Sequence, residues 1–450
     1  MTFIYSLGVS IFHIGIRIAA IFNGKARKWV KGRENLLEII EDDVDSSQKH
    51  TWFHFASLGE FEQGRSVLEQ YKKEFPNRLV VITFFSPSGY EVRKNYSVAD
   101  HVFYLPADSA SNAKRFIELI NPELAIFTKY DYWYSYFREL KRKSIPLYMI
   151  SSIYREDQIF FKWYGGLFRN MLSCVTHFFV QNQESIRLLQ SIGFKNVSLS
   201  GDTRFDRVVQ IAKNVRELPV ISYFATGHRV LVAGSTWPQD LERLLTFHQV
   251  FPDWKLIIAP HDITAQNIKY TCDVFSSGIL YSELSDYMHK QKLKTKSQRK
   301  RTIDMDIAYQ DTDTEADLIP EHKSPVLIVD NIGMLSSLYG YGDIAYIGGG
   351  FGAGIHNTLE AAAYGMPIIF GPNYHKFQEA KDLIQTRAAF FITNERELIA
   401  AIEELMDYEV RIEAGNRAVG YVTQQAGATD KIMNYILEHH DDVEPSSGNK

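Results

Sequence analysis

Cysteine is nearly missing from this sequence. Cys174 and Cys272 are the only two among 450 residues, far apart and with no Cys or His partner at metal-ligand spacing. That argues against a disulfide scaffold and a structural zinc site, and it fits a reducing compartment. An excess of one charge is missing too. Lys and Arg number 49 against 54 Asp and Glu, a net charge of −5, so the chain as a whole has no pull on nucleic acid. With 14 prolines and 28 glycines the chain is neither fibrous nor disordered. P-loop, H-E-x-x-H and G-x-S-x-G patterns are absent as well, which removes the usual marks of ATPases, zincins and α/β-hydrolases. What remains is 45% hydrophobic and 23% charged, core enough for roughly two to three domains at ~100–200 residues each.

Residues 3–22 read FIYSLGVSIFHIGIRIAAIF, about the 20 residues that span a bilayer core. His13 and Arg17 interrupt the run, and a centred arginine costs at least ~2.5–3.5 kcal/mol on insertion scales. No small-residue cleavage site follows, so a signal peptide fits poorly. Behind it, Lys25, Arg27, Lys28, Lys31 and Arg33 favour the cytoplasmic leaflet. A membrane anchor or interfacial helix over residues 1–24 is expected, the alternative being a buried N-terminal helix. Either anchored form leaves the rest of the chain in the cytoplasm.

From residue 50 onward, β-branched and aromatic runs alternate with helical patterns. Strands are expected at 52–56, 79–85, 102–105, 124–128, 147–151, 177–180 and 197–200, then at 230–233, 255–259, 326–329, 344–347, 367–370 and 390–393. Helices such as 111–120 and 184–192 lie between them. This alternation is the pattern of an α/β protein with parallel sheets covered on both faces. One sheet cannot hold so many strands, and the polar stretch 206–227 divides them. Two doubly wound, Rossmann-like domains facing a cleft are expected: 25–213 and 214–420, with a C-terminal helix and tail over 421–450. A basic run at 290–301 followed by acidic residues to 317 reads as a surface insertion. Its Asp304/Asp306 and Asp311/Asp313 pairs imitate a D-x-D metal motif, but neither ends a hydrophobic strand, and no metal is expected there.

The first core strand runs into Ser57-Leu58-Gly59-Glu60, opening a helix at the sheet edge where open α/β folds bind ligands. Glu60 is a candidate general base; the alternative is a first-turn glutamate complementing the helix dipole. Ser86-Pro87-Ser88-Gly89 ends the next strand in the same manner, with hydroxyls and amides for an anion or a sugar. In the second half, Gly234-Ser235-Thr236 closes a strand as a possible phosphate loop. Gly348, Gly349, Gly350, Gly352 and Gly354 close another, before a helix expected to start near residue 355. Asn357 and Glu360 fall one helical turn apart. Gly348, Gly350 and Ala353 satisfy a loose dinucleotide fingerprint, but the next strand ends in Gly371-Pro372 rather than an acid, so nicotinamide and flavin enzymes are set aside. His261, just after a strand, is placed to meet an anion; His54, His101 and His177 read as core or edge histidines.

In order and spacing these pieces resemble the Kdo transferases of lipopolysaccharide assembly. Residues 53–60 are similar to that family's H-A-x-S-x-G-E, 84–89 to T-x-T-P-T-G, 200–206 to G-N-x-K-F-D and 233–236 to A-x-S-T. Residues 330–335 resemble D-T-x-G-E-L, and 348–360 the G-G-S…G-G-H-N-P-L-E nucleotide region. The departures are Lys129-Tyr130-Asp131-Tyr132-Trp133 for E-T-E-L-W, Pro260-His261-Asp262 for P-R-H-P, and Met334, Ile355 and Thr358 for a glutamate, a glycine and a proline. The resemblance implies a two-domain GT-B glycosyltransferase that moves Kdo from CMP-Kdo to a lipid A precursor with inversion, on the cytoplasmic side of the inner membrane. It implies Glu60 as general base, with Ser57, Gly59, Ser86, Ser88, Gly89 and Asp131 toward the acceptor. The donor is expected at Ser235, Thr236, His261, Gly348, Gly349, Gly350, Asn357 and Glu360, without cofactor or metal. The alternatives are a GT-B transferase or epimerase using a UDP-sugar, and a catalytically dead membrane-anchored binding protein.

Overall fold

The computed structural model describes residues 2–214, 216–291 and 323–439. They form two compact units, Met1–Arg207 with Gln425–Lys450, and Val208–Gln424.

The first unit opens with three helices, α1 (Thr2–Phe22), α2 (Gly24–Lys31) and α3 (Leu36–Asp43). Seven strands follow: β1 (His50–Phe55), β2 (Leu79–Phe84), β3 (His101–Tyr104), β4 (Pro122–Thr128), β5 (Leu147–Ser152), β6 (His177–Val180) and β7 (Val197–Leu199). All pair in parallel, in the order β3-β2-β1-β4-β5-β6-β7. The strand direction of growth reverses between β1 and β4, which is the switch point where such sheets open a crevice. The period-two alternation of strand side chains splits the core in two. Trp52, Phe116, Phe127 and Tyr136 pack on one face, and Phe53, Phe55, Phe61 and Ile126 on the other.

That second face is completed from the far end of the chain. The helix Ala428–His439 lays Ile432, Met433 and Ile436 into it. Asp206 holds the return, accepting from the Thr429 amide at 2.8 Å and its hydroxyl at 2.9 Å, and from the Gly427 amide. The stretch 206–227, expected as a polar divider, instead contains most of the helix Thr203–Lys213 and all of Pro219–Ala225, which buries Val220, Ile221 and Phe224.

In the second unit the strands are β8 (Val230–Thr236), β9 (Lys255–Pro260), β10 (Gly278–Leu280), β11 (Val326–Ile328), β12 (Ile344–Ile347), β13 (Ile368–Phe370) and β14 (Ala389–Phe391). Again all parallel, they run β10-β11-β9-β8-β12-β13-β14, with the switch between β8 and β12. Strand β10 was not expected from the sequence. Nearly all of the charged insertion, with its Asp304/Asp306 and Asp311/Asp313 pairs, lies outside the described residues.

Helix α1 forms over the apolar N-terminal run, but among the described residues no helix is long and apolar enough to cross a membrane. The spanning form of the anchor is therefore not met. His13 and Arg17 lower the hydropathy, and one side of α1 packs on the first unit. The Tyr5 ring lies 5.3 Å from that of Tyr134, and Phe12 lies 5.9 Å from Trp29 and 6.2 Å from Phe85.

Candidate functional site

At the β1/β4 switch of the first unit, the chain leaves β1 through Ala56-Ser57 into helix α4 (Leu58–Glu74). Ser57 is its N-cap: the Gly59 amide donates to Ser57 Oγ at 3.2 Å, and the Ser57 hydroxyl donates to Glu60 Oε2. Glu60 is thus fixed in the first turn, half-buried, with one carboxylate oxygen engaged. Glu62 is occupied differently, pairing with Arg93 at 2.6 Å and Arg65 at 3.5 Å.

Beside it, helix α5 (Pro87–Arg93) starts from Ser86, whose Oγ lies 3.0 Å from Ser88 Oγ and accepts from the Ser88 amide at 3.3 Å. Gly89, expected toward the acceptor, also has a packing reason. A Cβ there would stand 2.2 Å from the Phe84 ring.

His54 is where the sequence reading fell short. Its imidazole is buried, as expected of a core histidine, yet Nε2 lies 2.6 Å from Asp131 Oδ2 and Nδ1 lies 2.7 Å from Thr83 Oγ1. Trp52 Nε1 donates to that Thr83 oxygen at 2.8 Å, and Trp133 Nε1 stands 3.2 Å from His54 Nε2. Asp131 comes from the loop after β4, so this pair ties the two strands that flank the switch. The available signal was the alternation of β1, which puts Trp52 and His54 on one face.

In the second unit the edges of β8, β9 and β12 bring Ser235, Thr236, His261, Gly348 and His356 together. Ser235 adopts a left-handed φ of 54°, and Thr236 Oγ1 is buried without a hydrogen-bond partner among the described residues. The rings of Trp237, His261 and His356 stack, with centroids 4.8 Å apart for the first two and 4.3 Å for the last two. Trp237 Nε1 donates to His356 Nε2 at 2.9 Å, which leaves the His356 proton on Nδ1. Burial first, and His261 second, push the His356 pKa down to about 4, so this ring is neutral at pH 7.

The glycine run, expected as a phosphate cradle, also has a packing reason. A Cβ on Gly348 would meet Ser235 O at 2.3 Å, one on Gly349 would meet Gly354 O at 2.5 Å, and one on Gly350 would meet Gly371 N at 2.6 Å. The chain's own backbone is what demands these glycines. The Gly349 amide is also spoken for: it donates to Asp240 Oδ2 at 3.0 Å. Asp240, passed over in the sequence, accepts as well from the Trp237 amide at 2.8 Å and from Tyr346 Oη at 2.8 Å. Its signal was an acid in the first turn of the Pro-started helix Pro238–Val250. The helix expected near residue 355 begins only at Leu359 and ends at Ala363. Asn357 precedes it, accepting from the Leu359 amide at 3.1 Å and donating to Glu360 Oε1 at 3.0 Å. Among the described residues no three His, Cys, Asp or Glu side chains gather as a metal site.

Residues 31–207 match the family described as 3-Deoxy-D-manno-octulosonic-acid transferase (kdotransferase). The 3-deoxy-D-manno-octulosonic acid transferase of Aquifex aeolicus is 26% identical over 378 residues, spanning 82% of this chain and 90% of its own. That of Chlamydia muridarum is 25% identical over 402 residues, 88% and 86% respectively. Among solved structures, UDP-GlcNAc 2-epimerase from Neisseria meningitidis bound to UDP-GlcNAc superposes with a TM-score of 0.57 over 87% of this chain and 100% of that one. At 14% identity that likeness shows the fold alone, two parallel-sheet α/β domains of GT-B architecture. With the first unit matched to the family and named transferases aligned across both units, the chain is a relative of the Kdo transferases.

Proposed function

We propose that the chain transfers Kdo from CMP-Kdo to a hydroxyl of a lipid A precursor, with inversion. The observation that carries the reading is the Ser57–Glu60 pair at the sheet switch point, inside the stretch that matches the transferase family. Glu60 takes the acceptor hydroxyl's proton as the new glycosidic bond forms, with Ser57 holding its other oxygen. CMP leaves as a phosphate monoester that needs no protonation, so one carboxylate suffices. Ser86, Ser88 and Asp131 lie around the same switch point and orient the acceptor.

CMP binds in the second unit. The unpartnered Thr236 hydroxyl, Ser235, His261 and the Nδ1–H of His356 face the phosphate, and Asn357 and Glu360 face the ribose. Because the backbone claims Gly348, Gly349 and Gly350, hydroxyl and imidazole donors carry more of the phosphate's stabilisation than the glycine amides do. No metal or cofactor is part of the reading. The protein works on the cytoplasmic face of the inner membrane, with α1 lying in the interface and Lys25, Lys28 and Lys31 toward anionic headgroups.

The test is incubation of the full chain with a tetraacylated lipid A precursor and CMP-Kdo, followed by mass spectrometry. A mass increase of one or more Kdo units is expected. An unchanged acceptor, with a UDP-sugar consumed instead, would move the chain to the epimerase alternative.

A further inference from the structure

Helix α1 is apolar on both sides, which a helix that merely packs on a domain does not need to be. Its outer stripe, Leu7, Ile11, Ile14, Ile18 and Ile21, repeats at steps of four and three, and each side chain is 49–64% exposed. Its inner side roofs a cavity of about 510 Å³, within the ~300–1,000 Å³ range of small-molecule sites. The cavity is lined by Gly8, Val9 and Phe12 from α1 and by Trp29, Phe85 and Trp133 below, among others. Gly8 is part of that lining, and a Cβ there would meet nothing within 4 Å, so close packing does not explain a glycine in mid-helix.

Two features say what enters. In the lining stands Arg33, which the apolar cavity shares with a second, more polar one of about 440 Å³ containing Arg17. Arg33 donates to the carbonyls of Leu105 at 2.8 Å, Trp29 at 3.1 Å and Phe85 at 2.8 Å, and lies 3.8 Å over the Trp29 ring. Among the described residues no carboxylate pairs with it: Asp108, which lines the same cavity, is bonded to the Tyr5 hydroxyl and the Ser135 amide, so the buried guanidinium, its pKa pulled down to about 9 by burial, has room for an anion. Glu34 and Glu38 also border the polar cavity, but Glu38 is engaged by Arg115 at 3.1 Å. Next to Arg33, Phe85 leads into Ser86, its ring lies 4.8 Å from that of Trp133, and Trp133 reaches His54, so the two rings join the cavity floor to the candidate site. An apolar peptide would cover the cavity and leave the outer stripe of α1 in water. A membrane lipid satisfies both, with the bilayer against the stripe and one chain beneath the helix.

We propose that this cavity takes an acyl chain of the glycolipid acceptor, with the acceptor's anionic group against Arg33 and its sugar toward His54, Asp131 and Glu60. The identity of the lipid as acceptor rests on the Kdo-transfer reading; the acyl-binding cavity does not.

The experiment uses the full chain and three variants: Gly8→Phe and Val9→Phe, which fill the cavity, and Leu7→Phe on the outer stripe, with thermal melts confirming the fold of each. Transfer is measured to the tetraacylated precursor and to its fully deacylated, water-soluble bisphosphorylated disaccharide. The filling variants are expected to raise KM about tenfold or more for the acylated acceptor while staying within about twofold of wild type for the deacylated one, and Leu7→Phe to change neither preference. Equal effects on both acceptors, or none, overturn the proposal. In parallel, a lysophosphatidic acid with a dibrominated acyl chain is titrated below its micelle concentration. Saturable quenching of tryptophan fluorescence by the wild type, lost in Gly8→Phe and kept in Leu7→Phe, is expected from Trp29 and Trp133. Absence of saturable quenching overturns the acyl site. If the wild type transfers to neither acceptor, the Kdo reading and the acceptor assignment fall together, and the quenching alone decides whether the cavity holds an acyl chain.

Discussion

His54 and Asp131, 77 residues apart in the chain, meet at 2.6 Å across the β1/β4 switch point. Both ring nitrogens are engaged: Nδ1 lies 2.7 Å from Thr83 Oγ1, which also accepts from Trp52 Nε1–H at 2.8 Å, and Nε2 is approached by the Trp133 indole N–H at 3.2 Å as well as by Asp131. The chain from Trp52 to Asp131 positions a carboxylate over the crevice from a buried base of side chains.

Asp131→Asn, which weakens this charge-assisted bond, should therefore reduce transfer through the acceptor. KM for the acceptor is expected to rise and CMP affinity, measured by calorimetry, to stay unchanged. His54→Phe should cost more, about 1–3 kcal/mol of stability, because it leaves the Asp131 carboxylate without its imidazole and takes one of two partners from the Thr83 hydroxyl. A His54→Phe protein that denatures with wild-type stability would show that the pair holds nothing in place.

Glu60→Gln keeps the shape of the first turn of α4 and its contact with Ser57 but cannot accept a proton. Turnover is expected to fall by ~10²–10⁴ with CMP affinity intact. Glu62→Ala is the internal control: its partners Arg93 and Arg65 are partly exposed, so it should cost no more than about 1 kcal/mol and leave transfer running. Near-normal turnover in Glu60→Gln would sink the assignment of the base.

Much of the fold was legible because each buried parallel strand is a compact apolar run between polar turns. His177–Val180 and Ile344–Ile347 emerge with the expected bounds. Gly278–Leu280 did not, since three half-buried residues at a sheet edge give no periodicity to read. The return of Ala428–His439 to the first unit was equally hidden: its apolar face fits any sheet, and the Asp206 carboxylate that receives it is more than two hundred residues away. Motif residues lie at the strand ends where they were expected, whereas the packing of the glycines was hidden. Their number suggested a ligand, and close backbone approaches to the ends of β8 and β13 give Gly348 and Gly350 a second reason.

That distinction is measurable. Gly350→Ala puts a methyl 2.6 Å from the Gly371 amide nitrogen, a contact with backbone that cannot swing away, and should destabilise the second unit by about 1–3 kcal/mol. At Gly352 the nearest atom to an added Cβ, Gly349 O, is 3.6 Å off, so Gly352→Ala should fold normally. If the glycines serve packing, the loss of CMP binding in the variants tracks their loss of stability. A stable Gly350→Ala protein with abolished CMP binding would return the run to the phosphate.

His356 gives the second unit an acid sensitivity of defined sign. Its pKa lies at about 4 in the folded chain against an ordinary 6.5. Above pH 6.5 both states hold the ring neutral and its contribution is complete. As pH falls from 6.5 toward 4 the unfolded chain takes up the proton first, so stability declines, and the loss levels off once the folded ring protonates as well. Because the ring is only half-buried, a change of about 1 kcal/mol is expected. Between pH 7 and 4.5 the wild type should lose more stability than His356→Gln in parallel denaturation series. A His356 resonance titrating near 6 by NMR would remove the effect and its cause.

The outer stripe of α1 makes the last expectation, because on the proposed reading membrane binding and chemistry use different residues. Leu7, Ile11, Ile14 and Ile18 point away from the first unit, while Tyr5 and Phe12 point into it. Changing those four outer residues, each 49–61% exposed, to serine removes apolar area that would enter the interface. Interfacial affinity scales with that area and with the attraction of Lys25, Lys28 and Lys31 to anionic lipid. The quadruple variant should therefore stop floating with anionic liposomes, yet keep wild-type transfer to a deacylated, water-soluble acceptor. Deleting residues 1–24 is a harsher change, since it also uncovers Trp29 and Phe85 and removes the Tyr5 hydroxyl from Asp108. That truncation should leave the membrane but melt at a lower temperature than the serine variant. Flotation undiminished in the serine variant would place membrane attachment elsewhere on the first unit, with the exposed Trp163 and Tyr164 the next side chains to change.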